Sequence, residues 1–287
     1  MTSDTFPLAG HQVRRMGFGA MQLPGPGVFG PPRDHDEAIA VLKRAIALGV
    51  NHIDTSQFYG PDVANALIRE ALAPYPDDLV LVSKVGARRD DQAGWLPAQA
   101  PETLKADVRR NLEALGVDRL PVVNLRVMPA DEIPAEEVYP FADQLAAMRE
   151  LVDEGALEAF GVSNVSTEQA ATALDAGAVC VQNAYNLLMR DDEPTLRLCA
   201  ERGVAYVPFF PLGSAFPGMP KVTEDDTVAR VAADRGCTPA QVGLAWLLQR
   251  SDNILLIPGT SSVTHLEENI AAAELTLTDE ELDALGR

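Results

Sequence analysis

The stretch Asn51-His52-Ile53-Asp54-Thr55-Ser56-Gln57-Phe58-Tyr59-Gly60 decides how the rest of the 287-residue chain is read. A helix ending at Gly49 precedes it, its first residues make a short apolar strand, and Asp54 falls at the carboxyl end of that strand. Tyr59 follows in the loop, so a carboxylate and a phenol leave one strand end together. Each has an ordinary structural reading, because an Asp at a strand end forms turns and a loop Tyr packs its ring. What the other strand ends carry decides between structure and chemistry.

Strand-then-helix alternation extends in both directions. Upstream, 6–13 with its Ala9-Gly10 turn reads as a hairpin, followed by a strand over 16–23 and the Pro- and Gly-dense loop PGPGVFGPPRD. A helix then starts near Asp34 and Asp36, repeats Ile39, Leu42 and Ile46 on one face and stops at Gly49. Downstream, helices are expected over 62–72, 101–115, 135–153, 166–174, 193–202, 225–235, 238–249 and 265–273. Ser166 with Gln169, and Thr238 with Gln241, have capping-box spacing, and Thr278 with Glu281 caps a short last helix. Strands fall between them at 79–84, 121–126, 156–162, 179–183, 205–209 and 254–257, and 86–99 reads as a long loop. Eight strand-and-helix units without a linker predict one α/β domain over 1–287, a (β/α)8 TIM barrel with an N-terminal β-hairpin. An open doubly wound sheet is the alternative. Against it, no GxGxxG follows the first strand and apolar strands recur to the end of the chain.

Composition narrows the partners. A formal charge of −19 excludes a broad surface for nucleic acid or anionic membrane, leaving room for one local phosphate site. The start MTSDTFPLAG has neither a basic segment nor an apolar run, and no stretch approaches the length of a membrane span, so a cytoplasmic protein is expected. Cys180, Cys199 and Cys237 form no CxxC and read as reduced structural thiols, with no metal site. No oligomer seam is apparent, and a monomer is expected.

In a barrel the carboxyl ends of the strands share one mouth. That brings together Gly19 to Gln22, Asp54, Lys84, Arg126, Ser163 with Asn164, Gln182, Phe209 and Gly259 to Ser262. Lys84 closes an apolar strand and needs a carboxylate partner if buried, and Asp54 on the neighbouring strand is the candidate. A plain ion pair closing the mouth is one reading; Tyr59 supports another. Lowering a phenol's pKa by about 3 units requires about 4 kcal/mol. One ammonium about 4 Å away, at an effective dielectric near 20, supplies about that much. Tyr59 is then a proton donor tuned by Lys84, with Asp54 orienting the lysine.

DTSQFYG at 54–60, Lys84 at the next strand end, GVSN at 161–164, VQNAYN at 181–186, FFPLG at 209–213 and IPGTSS at 257–262 together resemble the aldo-keto reductase superfamily over nearly the whole chain. VVNLRV and GPPRD resemble a bacterial branch with pyridoxal reductase-like members. The resemblance implies a TIM barrel that binds NADPH, with NADH the second choice, extended across the mouth, and that reduces carbonyls reversibly. By position, Asp54, Tyr59 and Lys84 match three of the family's four catalytic residues. The fourth is usually His, and here it is Arg126. Arg stays charged and cannot relay a proton. It can polarise a carbonyl or clamp a substrate, or it is a structural ion pair.

The resemblance also implies cofactor contacts. Gly19, Ala20 and Met21 lie in the end of strand one. Ser163, Asn164 and Gln182 face the nicotinamide carboxamide, Phe209 stacks on the nicotinamide ring, and Pro211 and Leu212 follow. At the phosphate end, where the family often has Lys-Ser and then Arg, this chain has Gly259, Thr260 and His265. Amides and hydroxyls of Gly259, Thr260, Ser261 and Ser262 can hold phosphate at a helix amino terminus, or they are only a helix-starting turn. Glu268 and Asn269 match a Glu-Asn pair near adenine. Trp95 and Arg126, with Met21, Phe29 and Phe216, suit a small aromatic aldehyde such as pyridoxal. Two functions stand: a reductase of aldehydes or ketones, and a nicotinamide-binding regulatory subunit with little turnover.

Overall fold

The computed structural model describes residues 4–129, 133–213 and 219–286. In chain order, strands β1 (Thr5–Leu8) and β2 (His11–Arg14) form an antiparallel hairpin, followed by β3 (Phe18–Gly19), α1 (His35–Ala47), β4 (His52–Asp54), α2 (Val63–Leu72) and β5 (Val80–Val85). Next come β6 (Ala87–Arg89), β7 (Trp95–Pro97), α3 (Pro101–Leu115), β8 (Leu120–Arg126), α4 (Phe141–Asp153) and β9 (Leu157–Ser163). The series ends with α5 (Thr167–Asp175), β10 (Cys180–Gln182), α6 (Glu193–Glu201), β11 (Ala205–Tyr206), α7 (Asp226–Arg235), α8 (Pro239–Arg250), α9 (Val263–Ala271) and α10 (Asp279–Ala284). The expected capping boxes at Ser166, Thr238 and Thr278 are all formed.

Seven strands run parallel in the order β3-β4-β5-β8-β9-β10-β11. The segment 254–256 completes the ring through single bridges rather than a ladder: Leu255 N donates to Tyr206 O at 2.9 Å, and Leu256 N to Arg15 O at 2.7 Å. The buried Arg15 guanidinium pins this closure, donating to the carbonyls of Leu248, Ser251 and Ile254. The eight-stranded barrel is therefore closed.

Successive side chains on a strand point to opposite faces, which separates two apolar layers. Val80, Val82, Val122, Cys180, Ala205, Val207 and Leu255 fill the lumen, with Leu8 and Val13 of the hairpin packed into the same cluster. The hairpin thus plugs the amino-terminal end, opposite the mouth. The larger cluster lies between strands and helices. Space in the lumen is tight. A Cβ at Gly161 would lie 2.1 Å from Asn124 Oδ1 and 2.4 Å from Cys180 Sγ, so the glycine of GVSN lets strands approach.

Several boundaries differ from the periodicity. The strand expected over 16–23 is only Phe18–Gly19, and the chain then turns through a 3-10 helix at Ala20–Gln22. The helix expected from 135 starts at Phe141, because Pro140, without an N–H, sits at its N-cap after a separate 3-10 turn at Ala135–Glu137. The loop expected over 86–99 contains the β6–β7 hairpin, and α9 starts two residues before His265, at Val263. No helix among the described residues is long and apolar enough to cross a membrane.

Candidate active site

Strand parity sets the site. His52 and Asp54, Val80, Val82 and Lys84, Asn124 and Arg126, and Gly161 and Ser163 each share the lumen face of their strands, and the last polar residue of each series reaches the mouth. Parallel register carries the same level around the ring, pairing Arg126 with Ser163 and Ser163 with Gln182. Asp54, Lys84, Arg126, Ser163 and Gln182 line one cavity of about 490 Å3, together with Gly19, Met21, Tyr59, Trp95 and Phe209.

Asp54, Tyr59 and Lys84 are all buried. The Lys84 ammonium donates to Asp54 Oδ1 and, at 3.1 Å, to Thr55 O, and its Nζ lies 5.1 Å from the Tyr59 ring centroid. Gln182 Nε2 donates to Asp54 Oδ2 at 2.9 Å, so both carboxylate oxygens are engaged. Burial opposes the Lys84 charge, but Asp54 and Tyr59 outweigh it and hold its pKa above the ordinary lysine value. For Tyr59 the balance runs against the three-unit depression reckoned from a lysine alone. Desolvation of the phenolate is the largest effect, Lys84 counters it and Asp54 reinforces it, so the phenol is pushed up. Tyr59 rests as a protonated donor.

A buried amide relay holds the loop that carries Tyr59. Thr55 Oγ1 donates to Asn65 Oδ1 at 2.8 Å, Asn65 Nδ2 to Asn111 Oδ1 at 2.9 Å, and Asn111 Nδ2 to Gln57 Oε1 at 3.2 Å. Each buried polar group finds a partner across α2 and α3, so the loop is fixed by tertiary contacts rather than by its own turn. Gly60, at φ 103°, bonds through its backbone to Val28 and Gly30 on the Pro- and Gly-rich loop.

The β6–β7 hairpin makes one wall. Trp95 stacks under Arg89 at 4.2 Å, meets Phe58 edge-on at 5.5 Å and lies 5.8 Å from the Arg126 guanidinium carbon. Arg89 ties the hairpin to the carbonyls of Gly27 and Val28. On the opposite wall, Phe209 follows β11, held by Phe209 N to Asn183 O at 2.9 Å. Ser163 and Gln182 are buried residues lining the cavity, their Oγ and Oε1 without a hydrogen-bond partner among the described residues, while Asn164 Nδ2 is held by Val127 O. A hydroxyl donor and two amide acceptors beside an aromatic face are the donor set a nicotinamide carboxamide requires.

A sequence model of the aldo/keto reductase family matches residues 15–287. The chain belongs to the aldo/keto reductase family. It is 54% identical to pyridoxine 4-dehydrogenase of Escherichia coli, over 99% of this chain and 98% of that protein. A crystal structure of an aldo-keto reductase from Klebsiella pneumoniae in complex with NADPH superposes with a TM-score of 0.81 at 26% identity, covering 99% of this chain and 94% of that one. A thermostable aldo-keto reductase with the inhibitor epalrestat also gives 0.81, at 29% identity and 98% coverage of both.

For an aldo/keto reductase, the phosphate end is unusual. Of the residues expected there, Gly259 and Asn269 line the cavity. Ala20 and Thr260 are buried without lining it, and Ser262, His265 and Glu268 do not line it either. Ser262 caps α9, and Thr260 Oγ1 accepts from Ser262 N, which supports the helix-starting turn. The amide of Val263, the first residue of α9, is already occupied, donating to Glu37 Oε1 of α1 at 3.0 Å. Nothing local in the sequence signals that contact, which joins residues 226 apart. Phe29 lies outside the cavity under Arg89, and Phe216 is outside the described residues. Phe58, Met128 and Phe210 line the cavity without having been singled out, although Phe58 stands beside Tyr59 in the deciding stretch.

Proposed function

We propose that this aldo/keto reductase reduces an aldehyde of the pyridoxal type to its primary alcohol with NADPH, and runs the reverse oxidation. The assembled cluster of Asp54, Lys84 and Tyr59 at the floor of an aromatic cavity carries the reading. It is supported by the 54% identity to the E. coli pyridoxine 4-dehydrogenase and by the likeness to the NADPH-bound Klebsiella structure. Bound NADPH supplies the hydride. Ser163, Asn164 and Gln182 would hold its carboxamide, and Phe209 would offer an aromatic face for its ring.

Tyr59 donates its phenolic proton to the carbonyl oxygen as charge develops there. Lys84 stabilises the phenolate left behind, and Asp54 holds Lys84 charged and oriented. Trp95, Phe58 and Met128 exclude water around an aromatic substrate. Arg126 stands where a proton-relaying His is usual in the family; it acts as a fixed cation, suited to the acidic ring hydroxyl of a pyridoxal-type aldehyde. The protein works as a monomer of one domain. The regulatory-subunit alternative rests on Arg126 in place of the relaying His, against the assembled Asp54, Lys84 and Tyr59.

The test is NADPH consumption with pyridoxal, for wild type and Tyr59→Phe. The variant should lose about a hundredfold or more in kcat while still binding NADPH. A wild-type enzyme that binds NADPH but consumes none with pyridoxal or a wider aldehyde panel would overturn the reading.

A further inference from the structure

The active-site cavity does not stop at the nicotinamide wall. Met21, Gln22, Phe210 and Gly213 line both it and an adjoining cleft of about 420 Å3, which also reaches Arg33, Asp34 and Ser261. A dinucleotide held at the carboxamide wall and extended through this neck would bring its phosphates toward that cleft. Their charge needs a partner, since an anion that gives up water without a cation or donors is penalised.

The helix terminus beside the cleft is a poor partner. Glu37 places a carboxylate on the first amide of α9, where the helix would otherwise present its positive end. Lys84 and Arg126 lie in the other compartment, with Lys84 committed to Asp54. Arg33 is the one cation lining the second cleft among the described residues, and it makes no hydrogen bond or ion pair with them. Other surface cations, Arg88 and Arg149 among them, are likewise unpaired among the described residues, and what sets Arg33 apart is its place on the cleft. Asp34, the acid lining the same cleft, is oriented as the cap of α1, its Oδ1 accepting from Glu37 N at 3.0 Å. Ser261 is exposed, and neither its hydroxyl nor its amide has a partner among the described residues.

We propose that Arg33 and Ser261 recognise the 2′-phosphate that distinguishes NADPH from NADH. The proposal rests on the cofactor reading above. The planar guanidinium presents paired donors to a phosphate, and Ser261 adds one or two more. Cofactor preference is then set by the loop before α1 together with Ser261 after the eighth strand, while Glu37 keeps the first amide of α9 from contributing. A diphosphate contact would serve NADPH and NADH alike, and the two sources are separable by experiment.

Calorimetric titration of wild type and Arg33→Gln with 2′,5′-ADP and with 5′-ADP makes the separation. Loss of a charge-assisted contact at an exposed site is expected to weaken 2′,5′-ADP about tenfold and leave 5′-ADP nearly unchanged. In wild type, 2′,5′-ADP binding should also weaken more steeply with salt than in the variant. Equal weakening of both nucleotides would assign Arg33 to the diphosphate and overturn the proposal, as would no change in either. If wild-type protein binds neither nucleotide and neither NADPH nor NADH, the cofactor reading itself fails.

Discussion

Replacing Lys84 by Met tests whether the lysine acts through Tyr59. The ammonium lies 5.1 Å from the Tyr59 ring centroid inside a buried site. At an effective dielectric of about 20, that separation corresponds to about 3 kcal/mol between ammonium and phenolate. The phenol, already raised by burial, should rise by about 2 further units and become a correspondingly weaker acid in the transition state. The expected result is a fall of about a hundredfold in kcat for pyridoxal reduction at saturating NADPH, with little change in NADPH affinity. The single variant also leaves Asp54 buried with Gln182 as its side-chain partner, which costs about 3–5 kcal/mol of stability. The double variant Asp54→Asn/Lys84→Met removes the stranded charge and should recover most of that loss. If Asp54 acts by keeping Lys84 in place, the double variant is no slower than Lys84→Met alone. A folded Lys84→Met enzyme within about threefold of wild-type kcat, or a double variant slowed by the product of the two single effects, would refute the reasoning.

Two further outcomes follow from buried titratable groups. Desolvation, the dominant cause, holds His52 down to about 4, with Asp54 opposing it and Lys84 assisting. Because the folded value lies below the unfolded one near 6.5, the unfolded chain takes up the proton first as pH falls. Stability is therefore fully present above about 6.5 and lost toward pH 4, by about 3 kcal/mol. Denaturant midpoints measured across that window should fall more steeply for wild type than for His52→Gln, and parallel curves would contradict the assignment. Burial likewise raises the thiols, Cys199 to about 12 and Cys180 beyond it, so neither forms thiolate at neutral pH. Iodoacetamide at about pH 8 should leave both unlabelled in the native protein and label them after unfolding, read by mass spectrometry; native labelling of Cys180 would show that the lumen opens.

Much of the site was legible because strand parity and parallel order are local properties. Once Asp54, Lys84, Arg126, Ser163 and Gln182 each end an apolar strand, a closed barrel must place them at one mouth, and the structure places them there. The wall made by Trp95 was less visible, since its hairpin consists of three-residue strands pinned by Arg89 rather than by a hydrophobic alternation.

The sequence by itself determined the alternation of eight strands with helices, the caps that start α5, α8 and α10, and the identity of the carboxylate, phenol and lysine that meet. Those follow from periodicity and short-range hydrogen bonds. Only the tertiary structure decided that the ring closes at 254–256 through isolated bridges, that Gln182 takes the second oxygen of Asp54, and that Glu37 occupies the amino terminus of α9. It also reversed the direction of the Tyr59 shift. These depend on which distant groups share a buried volume and on how much water they lose, and neither quantity is written in the spacing of residues along a chain.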